Sequence, residues 1–312
     1  MDAETGNPLR GIALKILSVV IFVMMQTCIK AAGPEVQAGQ ITFYRSAFAL
    51  IPILAYLAWR RDLLTAVRTD RPFGHLKRGL FGIMSMVFGF YGLVHLPLPE
   101  AIAIGYASPL MAVVFAALIL REQVRVYRWS AVVLGMVGVL IVSWPKLTLF
   151  GDGGLQSTQA LGAAAVLMAA VLSGLAMVQV RQLVQTEKTP TIVFYFSLSG
   201  AVFSLASLPF GWSVLTGEQA LLLIASGICG GIAQIFLTES YRHADVSAIA
   251  PFEYTSFLLG IAIAFVIFGD IPTVPMVIGT AITMAAGIFI VYRERQLGLE
   301  RKAARKASAP LN

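Results

Sequence analysis

The sequence carries little charge. Asp, Glu, Lys and Arg make up 12% of its 312 residues, against 58% hydrophobic ones. A soluble domain has about 25% charged residues, so the soluble enzyme classes fall away at once. Cysteine and histidine are scarce too. Cys28 and Cys229 each lie inside an apolar run with no metal-ligand spacing and read as packing residues. Neither a metal nor another cofactor is expected. His75, His95 and His243 stand near the ends of apolar runs, with no deep Ser or Asp at a recognisable spacing. That argues against an intramembrane enzyme. No Gly-xxxx-Gly-Lys-[Ser/Thr] loop occurs, so the chain itself is not expected to hydrolyse ATP. A continuous polar stripe along several helices, which a passive channel favours, is also missing.

What is present is a succession of apolar runs long enough to span a bilayer. They cover residues 11–32, 39–59, 79–96, 100–120, 127–144, 159–184, 191–210, 218–241, 246–268 and 273–292. The fold class expected is an all-α integral membrane protein with ten transmembrane helices. The first run is too long for the apolar part of a signal peptide and reads as an uncleaved spanning helix. Basic residues gather in alternate loops: Arg60, Arg61, Arg68, Arg71, Lys77 and Arg78, then Arg121, Arg125 and Arg128, then Arg181 and Lys188, then Arg242. A basic tail over 293–312 follows. The other loops hold Glu35, Glu218 and Asp270, with Lys146 as the clear cation. By the positive-inside rule both termini are cytoplasmic. The net charge of +7 thus reads as a topology signal and a contact with anionic lipid, not as a nucleic-acid surface.

The chain repeats itself. Ile41-Thr42-Phe43-Tyr44-Arg45-Ser46 matches Ile192-Val193-Phe194-Tyr195-Phe196-Ser197, and Tyr106-Ala107-Ser108 matches Tyr254-Thr255-Ser256. Residues 11–144 and 159–292 form two five-helix units. With an odd number of helices in each, the second is inverted in the membrane. Inverted repeats are typical of secondary transporters that alternate access between faces.

Glu253 lies deep in the ninth run, two residues after Pro251. A carboxylate inside a bilayer costs about 2.5–3.5 kcal/mol on insertion scales and marks a functional candidate. Pro251 opens the helix beside it. Glu253 is therefore a substrate contact, a coupling-proton carrier, or an acid satisfied by a neighbouring helix. Tyr44 pairs with Tyr195 and Tyr106 with Tyr254 across the repeat, and each can stack on a flat ligand. Arg45 offers bidentate hydrogen bonds or snorkels outward. Ser108 and Gln234 complete the candidate substrate-binding set, while Gln26 and Gln179 are polar within helices 1 and 6. Lys15 and Lys30 are expected to reach the headgroups. Glu122 and Asp270 are expected to cap helices or pair with loop arginines. Gly227-xxx-Gly231, Ala131-xxx-Gly135 and Gly279-xxx-Thr283-xxx-Gly287 mark close helix contacts, within a monomer or in a homodimer.

Phe43-Tyr44-Arg45-Ser46, Tyr106-Ala107-Ser108-Pro109 with Leu120-Arg121-Glu122, and Ala250-Pro251-Phe252-Glu253-Tyr254-Thr255 with Phe268-Gly269-Asp270 resemble the ten-helix EamA group of the drug/metabolite transporter superfamily. The family usually has Gly-Glu at both helix ends, and here the first has Arg121-Glu122. The resemblance implies a secondary transporter of the inner membrane, with a small organic metabolite and the lipid bilayer as partners. Arg71-Pro72-Phe73 and the Ala-Pro-Phe-x-Tyr stretch look more like the importers of vitamins and of S-adenosylmethionine. Riboflavin uptake is the first substrate expected, with S-adenosylmethionine or an amino-acid-like solute as the alternative.

Overall fold

A computed structural model gives the fold. It describes residues 8–121, 124–147, 157–183, 186–243 and 250–307, with backbone alone for residues 8, 64, 65, 181, 189, 241, 242, 250, 251, 294, 295 and 297–307. Among the described residues twelve α-helices follow in order: α1 Pro8–Ala31, α2 Ala38–Trp59, α3 Leu63–Ala66, α4 Pro72–His95, α5 Leu98–Gly105, α6 Ala107–Ile119, α7 Val126–Leu147, α8 Thr158–Leu183, α9 Thr189–Ser204, α10 Gly217–His243, α11 Thr255–Ile263 and α12 Val274–Ala307. A 3₁₀ turn over Leu205–Phe210 extends α9, another over Ala250–Tyr254 leads into α11, and a π turn over Ala264–Phe268 ends it. Eight stretches of the described residues are long and apolar enough to cross a membrane, α5 and α6 counting together. The 24-residue α4 and the apolar stretch Phe252–Phe268 complete a multi-pass bundle of ten spans.

The expected fourth helix is two helices. Pro109 has no N–H to give the Gly105 carbonyl, and its ring crowds that carbonyl. The chain breaks at Tyr106, between α5 and α6. The ninth span breaks at Tyr254, where the 3₁₀ turn passes into α11. Tyr106 and Tyr254 are repeat equivalents, so both halves are interrupted at the same place.

Helix packing follows the repeat. Helix α1 lies along α10, and its counterpart α8 lies along α4. Helix α2 packs on α10 as α9 packs on α4. The equivalent pairs α2 with α9 and α7 with α12 pack on each other. This is the arrangement of two inverted five-helix repeats. Backbones touch where the small residues stand. A Cβ on Gly138 of α7 would come 2.5 Å from the Gly279 carbonyl of α12, and one on Gly231 of α10 would come 2.7 Å from the Ala49 carbonyl of α2. The small-residue motifs thus join helices within one chain.

The apolar core runs along the middle of the bundle through Ile29, Ile41, Leu98, Ala103, Ile104, Val139 and Leu223, each wholly buried. Exposed large hydrophobics such as Val133, Leu221, Val266 and Val274 point outward, as expected of a surface in lipid. The face that carries the start of α1 and the arginine-rich loops is the basic face.

Candidate functional site

A cavity of about 750 Å³ lies between the two halves. At one end it is lined by Leu93, Ala101 and Ile102, at the other by Val124, Arg128 and Ile290 of the basic face. Its floor is made where the two broken helices meet. Tyr106 and Tyr254 stand edge to face, ring centroids 5.2 Å apart. The Tyr106 hydroxyl lies 2.7 Å from Ser256 Oγ, and the Ser256 hydroxyl donates to the Glu253 carbonyl at 2.7 Å. Since Ser256 has one proton and gives it away, Tyr106 is the donor in the first bond.

Glu253 projects from the 3₁₀ turn and forms an ion pair with Lys15 of α1. The two partners differ in burial: the Lys15 side chain is 4% exposed and that of Glu253 is 49% exposed. The carboxylate stands in the open cavity and the ammonium behind it. Lys15 is seven residues into α1, which sets the pair about 10 Å from the start of that helix. Lys15 therefore turns into the bundle, towards Glu253, instead of outward to the headgroups as expected. Burial in the bundle and an acid within reach hold it inside, because a paired charge costs far less there than a bare one.

Four of the residues expected from sequence line the cavity: Tyr106, Ser108, Glu253 and Tyr254. The other four do not. Tyr44 stacks on Phe48, with centroids 5.8 Å apart. The Tyr195 hydroxyl donates to the Val67 carbonyl at 2.7 Å, and its ring lies 4.7 Å from that of His75. Arg45 is buried against Phe196 and Met86. Gln234 is half-buried on α10 and outside the cavity wall. Glu122 lies outside the described residues, as does the side chain of Pro251. Asp270 is in electrostatic range of Lys30. Glu239, close to the end of α10, accepts a hydrogen bond from Tyr56 at 2.5 Å.

The cavity adds residues that the expected set left out. Lys15, Val19, Phe22 and Gln26 line it from α1, and Ser85, Met86, Phe90 and Ser173 from α4 and α8. The signal for the first group is the spacing. Positions 15, 19, 22 and 26 follow a helical period, so Lys15 and Gln26 share one face with Phe22. The Gln26 Oε1 is buried and has no hydrogen-bond partner among the described residues.

Beyond Ala101 and Ile102 the bundle is closed by charge as well as by packing. Glu100 is buried, with Lys146 Nζ at 3.5 Å. Lys146 also donates to Gln159 at 3.0 Å. Lys30 donates to the Leu96 carbonyl at 2.5 Å and lies 5.5 Å from the centre of the Phe268 ring. It thus ties α1 to the neighbouring span ends instead of snorkelling. The arrangement is a pocket of mainly apolar wall, with one acid and two cations and with two helix breaks at its base. Such a pocket holds a small organic molecule.

Comparison with known proteins agrees. The EamA-like transporter family matches the chain twice, over residues 9–144 and 160–293. An S-adenosylmethionine uptake transporter of Rickettsia prowazekii (strain Madrid E) is 26% identical over 296 residues, covering 95% of this chain and 97% of the relative. A pseudopaline exporter of Pseudomonas aeruginosa (strain UCBPP-PA14) is 30% identical, over 90% of this chain and 93% of the relative. A riboflavin transporter of Rhizobium johnstonii is 30% identical, over 95% and 92%. A solved crystal structure, 22% identical, has a TM-score of 0.65 over 92% of this chain and shares the fold. With two family matches that together span both halves of the bundle, the chain belongs to the EamA-like transporter family.

Proposed function

We propose that this protein is a secondary transporter of the cell membrane that moves a small organic metabolite by alternating access, with no enzymatic step of its own. The single observation that carries this reading is the 750 Å³ cavity seated on the paired helix breaks at Tyr106 and Tyr254. The loop charges support a basic face in the cytoplasm, with both termini on that side. The cavity reaches that face, and the Glu100–Lys146 pair stands towards the other. The state described is then the inward-facing one.

Riboflavin is the first substrate, imported. Phe22, Phe90, Tyr106 and Tyr254 offer faces and edges to a flat ring system, and Lys15, Gln26 and Glu253 offer partners for its polar edge and its hydroxyls. A second reading rests on the Lys15–Glu253 pair. An aminocarboxylate such as S-adenosylmethionine presents an ammonium to Glu253 and a carboxylate to Lys15, and so replaces both halves of the ion pair.

Purified protein titrated with riboflavin and with S-adenosylmethionine, followed by thermal shift and by quenching of flavin fluorescence, separates the two. Saturable binding of one, with uptake of the same compound into proteoliposomes, is the expected result. Binding of neither, with no uptake, overturns the substrate assignment. For the orientation, a cysteine at Arg68 should react with an impermeant thiol reagent only from the cytoplasmic side, and labelling from outside whole cells overturns it.

A further inference from the structure

Among the described residues, three lysines drawn into the bundle have partners, and two arginines do not. Lys15 has Glu253, Lys146 has Glu100, and Lys30 has the Leu96 carbonyl. Arg45 of α2 and Arg78 of α4 have no such partner, and among the described residues no carboxylate forms an ion pair with either. Arg45 is 6% exposed. Its Nη1 lies 3.9 Å from the Met86 sulfur, and its Nε has no partner. The Nε and Nη1 of Arg78 are buried and unbonded as well. So is the hydroxyl of Ser46, the residue next to Arg45.

The two guanidiniums converge on α9, and the Ser46 hydroxyl faces Gly200, one helical turn along from there. The Arg78 Cζ lies 4.0 Å, and the Arg45 Cζ 5.8 Å, from the centre of one ring, that of Phe196 on α9. Phe196 is the repeat equivalent of Arg45, so the cluster sits where α2 and α9 pack on each other. Two guanidiniums near one ring repel each other, and with Arg45 buried and Arg78 half-buried water screens them only in part. The ring face attracts each of them, but it has no net charge and cannot neutralise two. Buried charges in membrane proteins are otherwise paired or lie on an ion path.

We propose that Arg45, Arg78 and Ser46 form a binding site for a small inorganic anion of the size of chloride. The size follows from the walls. Neither arginine lines the large cavity, from which Met86 separates Arg45. The Met25 sulfur and the Arg45 Nε both stand close to Gly230, which has no side chain to crowd them. Two flexible thioethers give way to a monatomic ion, not to an organic solute. The guanidinium N–H groups and the Ser46 hydroxyl supply donors and no acceptor charge, which selects an anion. The site does not depend on which metabolite the large cavity takes.

The test uses the full-length protein in neutral detergent. Melting is followed in sodium chloride and in sodium gluconate at equal ionic strength. Wild type should show a saturable rise in Tm of roughly 3 °C or more in chloride, and the R45Q/R78Q variant should show none. Because that variant removes two buried groups and risks misfolding, a second measurement uses the native chain. Crystals grown in bromide should give an anomalous peak between the two guanidiniums. Equal melting in both salts with no bromide peak overturns the proposal. So does a rise that appears only with anionic lipid, since the counter-charge would then be a headgroup phosphate.

Discussion

Tyr106 and Tyr254, 148 positions apart and equivalent in the two repeats, meet edge to face at the breaks of their respective spans. Their bonding is not equivalent. Tyr106 donates to Ser256, whereas the Tyr254 hydroxyl rests against Gly287. Ser108, the repeat equivalent of Ser256, makes no bond to Tyr254 among the described residues. If the halves exchange conformations when the transporter turns over, the oppositely open state makes Tyr254–Ser108 and breaks Tyr106–Ser256. Removing the Tyr106 hydroxyl then costs only the present state, by about 1 kcal/mol, or roughly a fivefold shift in population. With Cys28 and Cys229 replaced, a cysteine at Ser173 reports the change by its reaction rate with a polar thiol reagent added at the basic face. Tyr106→Phe should slow labelling by up to that factor, and Tyr254→Phe should not. Equal slowing by both excludes the exchange.

The contact between α7 and α12 leaves no room for a methyl group. A Cβ on Gly138 would lie 2.4 Å from Thr283 Oγ1 and 2.5 Å from the Gly279 carbonyl. A backbone carbonyl in a packed helix does not swing aside, so Gly138→Ala should destabilise by about 1–3 kcal/mol. Gly105→Ala is the control, because nothing stands within 4 Å of its Cβ position. Thermal unfolding in detergent reads both. A Tm for Gly138→Ala equal to that of the control refutes the close contact.

The spans and their doubling were legible in the sequence because lipid imposes them. Apolar length, loop charge and the repeated Phe-Tyr pair are local signals. The breaks are half legible: Pro251 announces one, while Pro109 stands inside a motif, and nothing local marks its effect on the Gly105 carbonyl. The site was harder. Tyr106, Ser108, Glu253 and Tyr254 came out of their own segments, but Lys15 did not. Its place depends on a partner 238 residues away, and a lysine near a helix end ordinarily snorkels. Tyr44 and Tyr195 repeat as well as Tyr106 and Tyr254 do. Repetition says that two residues are equivalent, not that they face the axis.

At the basic face, Glu187 joins two loops. Its Oε1 accepts from the Thr69 hydroxyl at 2.5 Å and from the N–H groups of Asp70 and Arg71 at 3.1 and 3.2 Å. Burial works against its ionisation, but the Thr69, Asp70 and Arg71 donors and nearby His75 outweigh that and hold its pKa below the usual glutamate value. A depressed carboxylate pKa adds stability that is present above the unfolded value of about 4.3 and is lost as pH falls through the folded one. Glu187→Gln should therefore lower Tm at pH 7, and the gap to wild type should close as pH drops below about 4. A gap that stays constant across that range shows that the carboxylate's charge is not what ties the loops.

The Lys15–Glu253 pair should respond unequally to loss of either partner. Lys15→Met leaves a carboxylate that is 49% exposed in the cavity and hydrates there. Glu253→Gln leaves an ammonium that is 4% exposed and has lost its counter-charge. Breaking a fully buried pair costs about 3–5 kcal/mol, and an exposed partner reduces that. About 2 kcal/mol for Glu253→Gln and under about 1 kcal/mol for Lys15→Met are the values expected on that basis. Lys15→Met/Glu253→Gln should recover most of the loss, because it removes the stranded charge. Transport should not recover with it. If Glu253 carries the coupling proton, both variants that lack it will exchange substrate across proteoliposome membranes without accumulating it along a pH gradient. If Glu253 instead holds substrate, exchange and binding will fall together. Equal destabilisation by the two single variants would mean that the bundle does not shield Lys15 as described, and a Glu253→Gln protein that melts and accumulates substrate like wild type would leave the pair a purely structural role.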